Sequence, residues 1–280
     1  MAYQGIDTVA SISKKSAQTL KKEGISFVGR YLVPSGCGKE ITATEIQTLH
    51  DAGLAILLCW ELTASAVKNG AVSGTKDAAR ARALAEGFGV PAGTTIFFAC
   101  DYNIPQSDLI QCEQYILAAK AAIGSYNVGL YGPEKIVAFL SERGSCKKFW
   151  QCVAWSAKFL PAANVQQYQW QGGADAKALA KKLGFDVDLD RCDNLRTAGL
   201  WLPPYAEYQE DDGSTIYEPQ NGTTQSPWYS EVMAWAEQEG LIKDGRPNDT
   251  MTRAEVATVF KRFNALVDDK IAKALSQNNK

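Results

Sequence analysis

Histidine is nearly absent: His50 is the only one in 280 residues. That argues against a His-ligated metal centre and against a Ser-His-Asp triad. His50 lies in Gln47-Thr48-Leu49-His50-Asp51 and reads as a last-turn residue near the negative end of a helix that stops at Gly53. The seven cysteines, at 37, 59, 100, 112, 146, 152 and 192, are scattered and odd in number, without a Cys-x-x-Cys pair. They indicate neither a disulfide framework nor a zinc site, and most are expected to be small buried hydrophobes of a reduced chain. No stretch nears the ~20 apolar residues of a membrane helix. Met1-Ala2-Tyr3-Gln4-Gly5 lacks the basic-then-apolar order of a secretory leader. No Gly-x-Gly-x-x-Gly follows a strand-like run, which leaves a dinucleotide-binding sheet unsupported. No Lys/Arg cluster or glycine-rich cradle points to phosphoryl transfer. Lys plus Arg (29) against Asp plus Glu (31) gives a net charge of -2, with no basic excess for a nucleic-acid surface. Neither a cofactor nor a metal is expected.

What is present is a core and a rhythm. The hydrophobic fraction of 46% against 21% charged suits a folded chain. Strand-like runs recur at 4–9, 27–32, 54–60, 95–100, 128–131, 149–155, 165–170 and 185–189. Helical patterns fall at 16–23, 42–52, 76–88, 106–123, 134–143 and 174–183, each followed by a glycine, the residue that most readily takes the left-handed turn ending a helix. Thr42-Ala43-Thr44-Glu45 reads as a capping box. Between the sixth and seventh runs, Leu160-Pro161-Ala162-Ala163 suggests only a turn. Near-continuous apolar strands alternating with helices predict parallel strands buried on both faces. About eight such units in roughly 200 residues predict an α/β fold, a (β/α)8 TIM-like barrel over residues 1–202. A doubly wound open sheet is the structural alternative. A polar linker over 203–226, a small α-helical module over 227–267 and a tail over 268–280 are expected after it.

The active ends of such a barrel are the C-terminal ends of its strands. Asp7, Glu61, Asp101, Asp188 and Asp190 fall at those ends. Crowded, part-buried carboxylates have their proton affinities driven apart, which acid/base division requires. Tyr31, Trp60, Tyr102, Tyr131, Trp155 and Trp170 are assigned to the same rim. Each alone reads first as packing, but aromatic faces beside carboxylates suit a sugar ring, with Gln167 and Gln169 as partners for its hydroxyls.

Gly5-Ile6-Asp7-Thr8, Phe27-Val28-Gly29-Arg30-Tyr31-Leu32, Phe97-Phe98-Ala99-Cys100-Asp101-Tyr102, Gly129-Leu130-Tyr131-Gly132 and Val187-Asp188-Leu189-Asp190 occur in that order. The ordered set resembles the glycoside-hydrolase-like family DUF1906, which is similar to the family 25 (Chalaropsis-type) lysozymes. The resemblance spans residue 3 to about 201 and implies a barrel with an acidic cleft facing bacterial cell-wall glycan. It aligns Asp7 with the first-strand aspartate of those lysozymes and Asp101 with the first acid of their Asp-x-Glu. Asp190 falls where they carry a last-strand residue that shapes the cleft. The Glu of that motif, their proton donor, is replaced by Asn103. An amide cannot protonate a leaving oxygen, so Asp101, or Glu61 from the neighbouring strand, is the expected general acid, with Asp7 or Asp190 expected to stabilise the oxocarbenium-like transition state or activate the nucleophile.

The C-terminal segment resembles a single S-layer homology (SLH) repeat. Trp228-Tyr229, Trp235-Ala236, Gly240-Leu241-Ile242, Gly245 and Thr252-Arg253-Ala254-Glu255 carry that resemblance, and Arg253 matches the arginine associated with anionic wall polysaccharide. The expected function is a glycoside hydrolase acting on peptidoglycan-type glycan. Asp7, Glu61, Asp101 and Asp190 are its catalytic candidates. Tyr31, Trp60, Tyr102, Asn103, Tyr131, Trp155, Gln167, Gln169 and Asp188 are its substrate-binding candidates. The alternative is a non-catalytic carbohydrate-binding or wall-associated structural protein on the same barrel. Expected partners are cell-wall polysaccharide or peptidoglycan, with self-association through the C-terminal helices, and neither nucleic acid nor membrane insertion. The expected location is the cell wall or extracellular space, with phage-type release or an intracellular protein as alternatives.

Overall fold

The apolar runs become strands because each places one set of alternate side chains inside a ring and the other under a helix. In the computed structural model, which describes residues 2–204, the strands are β1 (Tyr3–Asp7), β2 (Ile25–Tyr31), β3 (Ala55–Trp60), β4 (Thr95–Ala99), β5 (Asn127–Gly132), β6 (Phe149–Cys152), β7 (Val165–Gln169) and β8 (Asp188–Cys192). They close into a barrel in chain order. The helices are α1 (Lys14–Lys22), α2 (Ala43–Asp51), α3 (Gly70–Gly87), α4 (Leu109–Ala122), α5 (Glu134–Glu142), α6 (Ala174–Leu183) and α7 (Leu195–Ala198). The SLH-like module, the tail and all but the first residues of the expected linker lie outside the described residues.

The core has two layers. Phe27, Leu57, Phe97, Trp150 and Val165 fill the inside of the ring, with Leu195, Ala198 and Leu200 packed against them. Ile6, Val28, Ile56, Leu58, Phe98 and Leu130 face outward to the helices. Glycines inside the ring make room for the large rings opposite. A Cβ on Gly5 would stand 2.3 Å from the Phe27 ring, and one on Gly129 would stand 2.5 Å from Phe97. Six of the seven cysteines are buried and all are free.

Three departures from the sequence pattern matter. First, α3 begins at Gly70, six residues before the expected start, although Gly70 and Gly74 are poor helix formers. Tertiary packing overrides that preference: a Cβ on Gly74 would lie 2.2 Å from the carbonyl oxygen of Tyr115 on α4. Second, only half of the capping box forms. Thr42 Oγ1 accepts the Glu45 N–H at 3.2 Å, but the Glu45 carboxylate turns to Arg30 Nε (2.7 Å) and the Ile12 N–H (2.8 Å). This ion pair is fully enclosed, and Arg30 Nη1 also holds the Thr8 carbonyl at 2.6 Å, just past the end of β1. Third, β8 starts at Asp188 and runs antiparallel to both β1 and β7. A period of two shows which side chains share a face but not which way a strand runs. No helix forms over 153–164, between β6 and β7, where only a turn was expected.

Candidate functional site

The reversal of β8 decides the site. Its N-terminal end, not its C-terminal end, meets the C-terminal ends of the other strands, and Asp188 pairs directly with Asp7 across the β1–β8 ladder. Asp190, two residues on, faces the same interior one layer deeper, opposite Gly5. The side chain of Gln167 on β7 ties the group together. Its Nε2 donates to Asp7 Oδ2 at 2.8 Å and to Asp188 Oδ2 at 3.0 Å. Its Oε1 accepts the Tyr131 hydroxyl at 3.1 Å. The other Asp188 oxygen accepts the Gln171 N–H at 2.5 Å. Below, Trp150 Nε1 donates to Asp190 Oδ1 at 2.8 Å. The second Asp190 oxygen is buried with no hydrogen-bond partner among the described residues, and Asp190 lies close enough to Asp7 for each carboxyl to affect the other.

Burial is the main cause that pushes Asp7 up to about 7, followed by the negative charge of Asp188; the Gln167 hydrogen bond pulls it back down. Asp190 is pushed well above the carboxylate range by complete burial and by Asp7. Asp188 is raised by burial, against the pull of the Gln171 N–H. One side of the mouth therefore holds a cluster of three carboxyls that all bind protons more tightly than an ordinary aspartate. Opposite lie Asp101 and Glu61. Asp101, half-buried, is raised by burial and by Glu61, and lowered by Lys39. Lys39 pairs with Glu61 at 3.1 Å and sits 4.2 Å from the centre of the Tyr31 ring. Asp7 feels the charge of Asp101, and Tyr31 feels Asp7, Glu61 and Asp101, so these carboxylates share one electrostatic field at one end of the barrel.

The other expected residues divide. Tyr31 and Tyr131 project into the mouth end of the barrel interior. Trp60 does not: it points outward into the strand–helix core, 1% exposed, under Arg80. Tyr102 also turns toward the helices, its hydroxyl on Asp108 Oδ2 at 3.1 Å. Asn103 is exposed on the loop after β4. Gln169, two residues beyond Gln167, would share its face in a regular strand, but a bulge in β7 shifts the register between them. An extra residue turns the side chain outward, and Gln169 Oε1 caps α6 by accepting the Ala176 N–H at 2.8 Å. Trp155 and Trp170 stand exposed on the loops after β6 and β7. Three contributors were not anticipated. Trp150 was legible only as a strand residue, Lys39 sits in an irregular loop without a periodic signal, and Gln171 acts through its backbone.

Among the described residues, no group of three or more His, Cys, Asp and Glu could hold a metal ion, and no helix is long and apolar enough to cross a membrane. Two surface depressions lie away from the carboxylates, one lined by Asn164, Gln166 and Arg191 and another by Lys177, Lys181 and Phe185. The buried acids, rather than these hollows, form the candidate site.

Comparison with known proteins agrees with this architecture. The model of an Rv2525c-like, glycoside hydrolase-like domain matches residues 18–193. Two Bacillus subtilis proteins, YbfG and FadG, are 32% and 29% identical over 161 and 148 residues, about half of this chain. The alignments span only 22% and 26% of those relatives. Among solved structures, the Tat-secreted Mycobacterium tuberculosis protein Rv2525c in complex with L-tartrate superposes with a TM-score of 0.60 at 22% identity, covering 71% of this chain and 98% of that one. An uncharacterised B. stearothermophilus protein gives 0.53 at 20% identity, covering 71% and 100%.

Proposed function

The chain belongs to the Rv2525c-like, glycoside hydrolase-like domain family, and from that premise we propose that its barrel mouth hydrolyses bacterial cell-wall glycan of the peptidoglycan type. The observation that carries the reading is the Asp7–Gln167–Asp188 arrangement. One amide nitrogen within 3.0 Å of an oxygen of each carboxylate holds those oxygens under about 6 Å apart, short of the ~6.5–9.5 Å an inverting water requires. Asp7, which carries its proton up to about 7, delivers it to the glycosidic oxygen. Asp188, oriented by Gln167 and the Gln171 N–H, stabilises or attacks the developing oxocarbenium centre. Asp190 lies beneath them, its proton affinity raised by burial and by Asp7. Asp101 and Glu61 line the far side, with Glu61 held by Lys39.

The test is release of reducing ends from purified peptidoglycan. Asp7→Asn and Asp188→Asn each lower turnover by about 10²–10⁴-fold, and wild-type turnover falls as pH rises past about 7, where Asp7 loses its proton. Unchanged turnover in either variant refutes the assignment. Asn103, exposed where the related lysozymes carry a proton donor, favours a second reading, a glycan-binding barrel without turnover. Binding of peptidoglycan with no product between pH 4 and 9 would decide for it. The Thr252-Arg253-Ala254-Glu255 segment supports a further role for residues 227–267 in attachment to anionic wall polysaccharide, with the cell wall or extracellular space as the place of action. Deletion of 204–280 then weakens wall association without removing turnover.

A further inference from the structure

The connection between β6 and β7 is fastened along most of its length. Gln151, fully buried, donates from Nε2 to the Lys158 carbonyl at 2.6 Å and accepts the Leu160 N–H at 2.9 Å. The Ser156 hydroxyl donates to the Cys152 carbonyl at 2.7 Å and accepts the Glu134 N–H at 2.9 Å. The Glu134 carboxylate accepts the N–H groups of Ala157 and Lys158 at 2.9 and 3.1 Å. In the middle of this anchored loop stands Trp155. It is the only non-glycine among the described residues with a positive φ, +55°, and it is 49% exposed. The left-handed region is unfavourable for a residue with a large side chain, and here it leaves about half of the indole-bearing residue in water. One connection further, Trp170 directly succeeds β7 and is 60% exposed. Its ring lies against Gly172, where a Cβ would come within 2.1 Å of it, so the missing side chain at 172 sets where the indole rests.

A strained backbone under an exposed aromatic, on a loop held from both sides, is a contact surface formed before its ligand arrives. We propose that Trp155 and Trp170 form a saccharide-stacking platform outside the carboxylate mouth, and that the ligand of this barrel is an extended oligosaccharide chain rather than a mono- or disaccharide. This rests on the glycan reading of the mouth. Gln167, which holds the reacting carboxylates, is on β7; Trp170 leaves that same strand, and Trp155 leaves its hydrogen-bonded neighbour β6. Rings beyond the one at Asp7 therefore pass β7 and then β6. Each offers its C–H face to an indole while its hydroxyls stay in water. The platform carries no charge of its own, which suits a neutral, repeating sugar backbone.

The experiment measures binding of di-, tetra- and hexasaccharides of β-1,4-linked N-acetylglucosamine to the full chain by calorimetry. Trp155→Asn removes the indole and leaves a residue that tolerates the left-handed backbone. Hexasaccharide affinity is expected to fall by about tenfold, the size of one good aromatic stack, with disaccharide affinity unchanged and the thermal midpoint no lower than that of the wild type. Trp155→Tyr recovers most of the loss. Gly172→Ala, which displaces the Trp170 ring without removing it, weakens hexasaccharide binding in the same length-dependent way. Equal affinity of Trp155→Asn and wild type at every length overturns the proposal. So does a loss independent of length, or a loss accompanied by a fall of several degrees in the midpoint. If the unsubstituted chain binds purified peptidoglycan but none of the three sugars, the platform is overturned alone; if it binds neither, the glycan reading fails and the platform with it.

Discussion

Asp7→Asn should make the protein more stable at alkaline pH while leaving it inactive. In the folded protein Asp7 holds its proton up to about 7, against 3.8 for an ordinary aspartate. Its folded-state proton affinity is raised, so its stabilising contribution is complete below the unfolded value and is lost as pH climbs through the folded one. Each unit of separation corresponds to about 1.4 kcal/mol, so between pH 4 and pH 8 the wild type loses about 4 kcal/mol that a non-titrating asparagine does not. Asp190, enclosed beneath it, is likewise raised well above the ordinary carboxylate range, by burial and by Asp7. Asparagine retains an acceptor for the Gln167 amide and can donate to Asp190, so the packing survives. The assay is urea unfolding of both proteins at pH 4, 6 and 8, read by tryptophan fluorescence. The two stability curves should diverge with rising pH, and thermal midpoints at pH 8 should separate by roughly 10 °C for a barrel of this size. Parallel curves would refute both the burial of a proton at Asp7 and its use as an acid.

Arg30→Met strands Glu45 without its partner inside the barrel wall and should cost about 3–5 kcal/mol in urea unfolding. Because Arg30 also holds the Thr8 carbonyl beside Asp7, residual folded protein should turn over glycan more slowly at every pH. Gln169→Leu removes the acceptor for the Ala176 N–H at the start of α6. It should lower stability by about 1 kcal/mol and leave glycan turnover unchanged, which would be the wrong result if Gln169 touched substrate.

Period and punctuation carried the sequence reading far. Alternating apolar runs, amphipathic intervals and a glycine after each helix placed a barrel, because those features report local burial and local backbone conformation. Gly24 and Gly184 do take the left-handed conformation expected of them, with φ of +79° and +86°. The acids could be picked out because each lies within or just past the last residues of an apolar run. Four things were decided only by the tertiary structure. The direction of β8 puts Asp188 beside Asp7, and strand direction leaves no mark on a two-residue period. The bulge in β7 parts Gln169 from Gln167, since one extra residue in a ladder reverses the face of every later side chain in the strand. Trp60 ends β3 like a rim residue, but the odd–even count that faces Cys59 inward faces Trp60 outward. The proton affinity of Asp7 is likewise a property of the assembled mouth, because desolvation and neighbouring charge exist only once distant strands have closed around it.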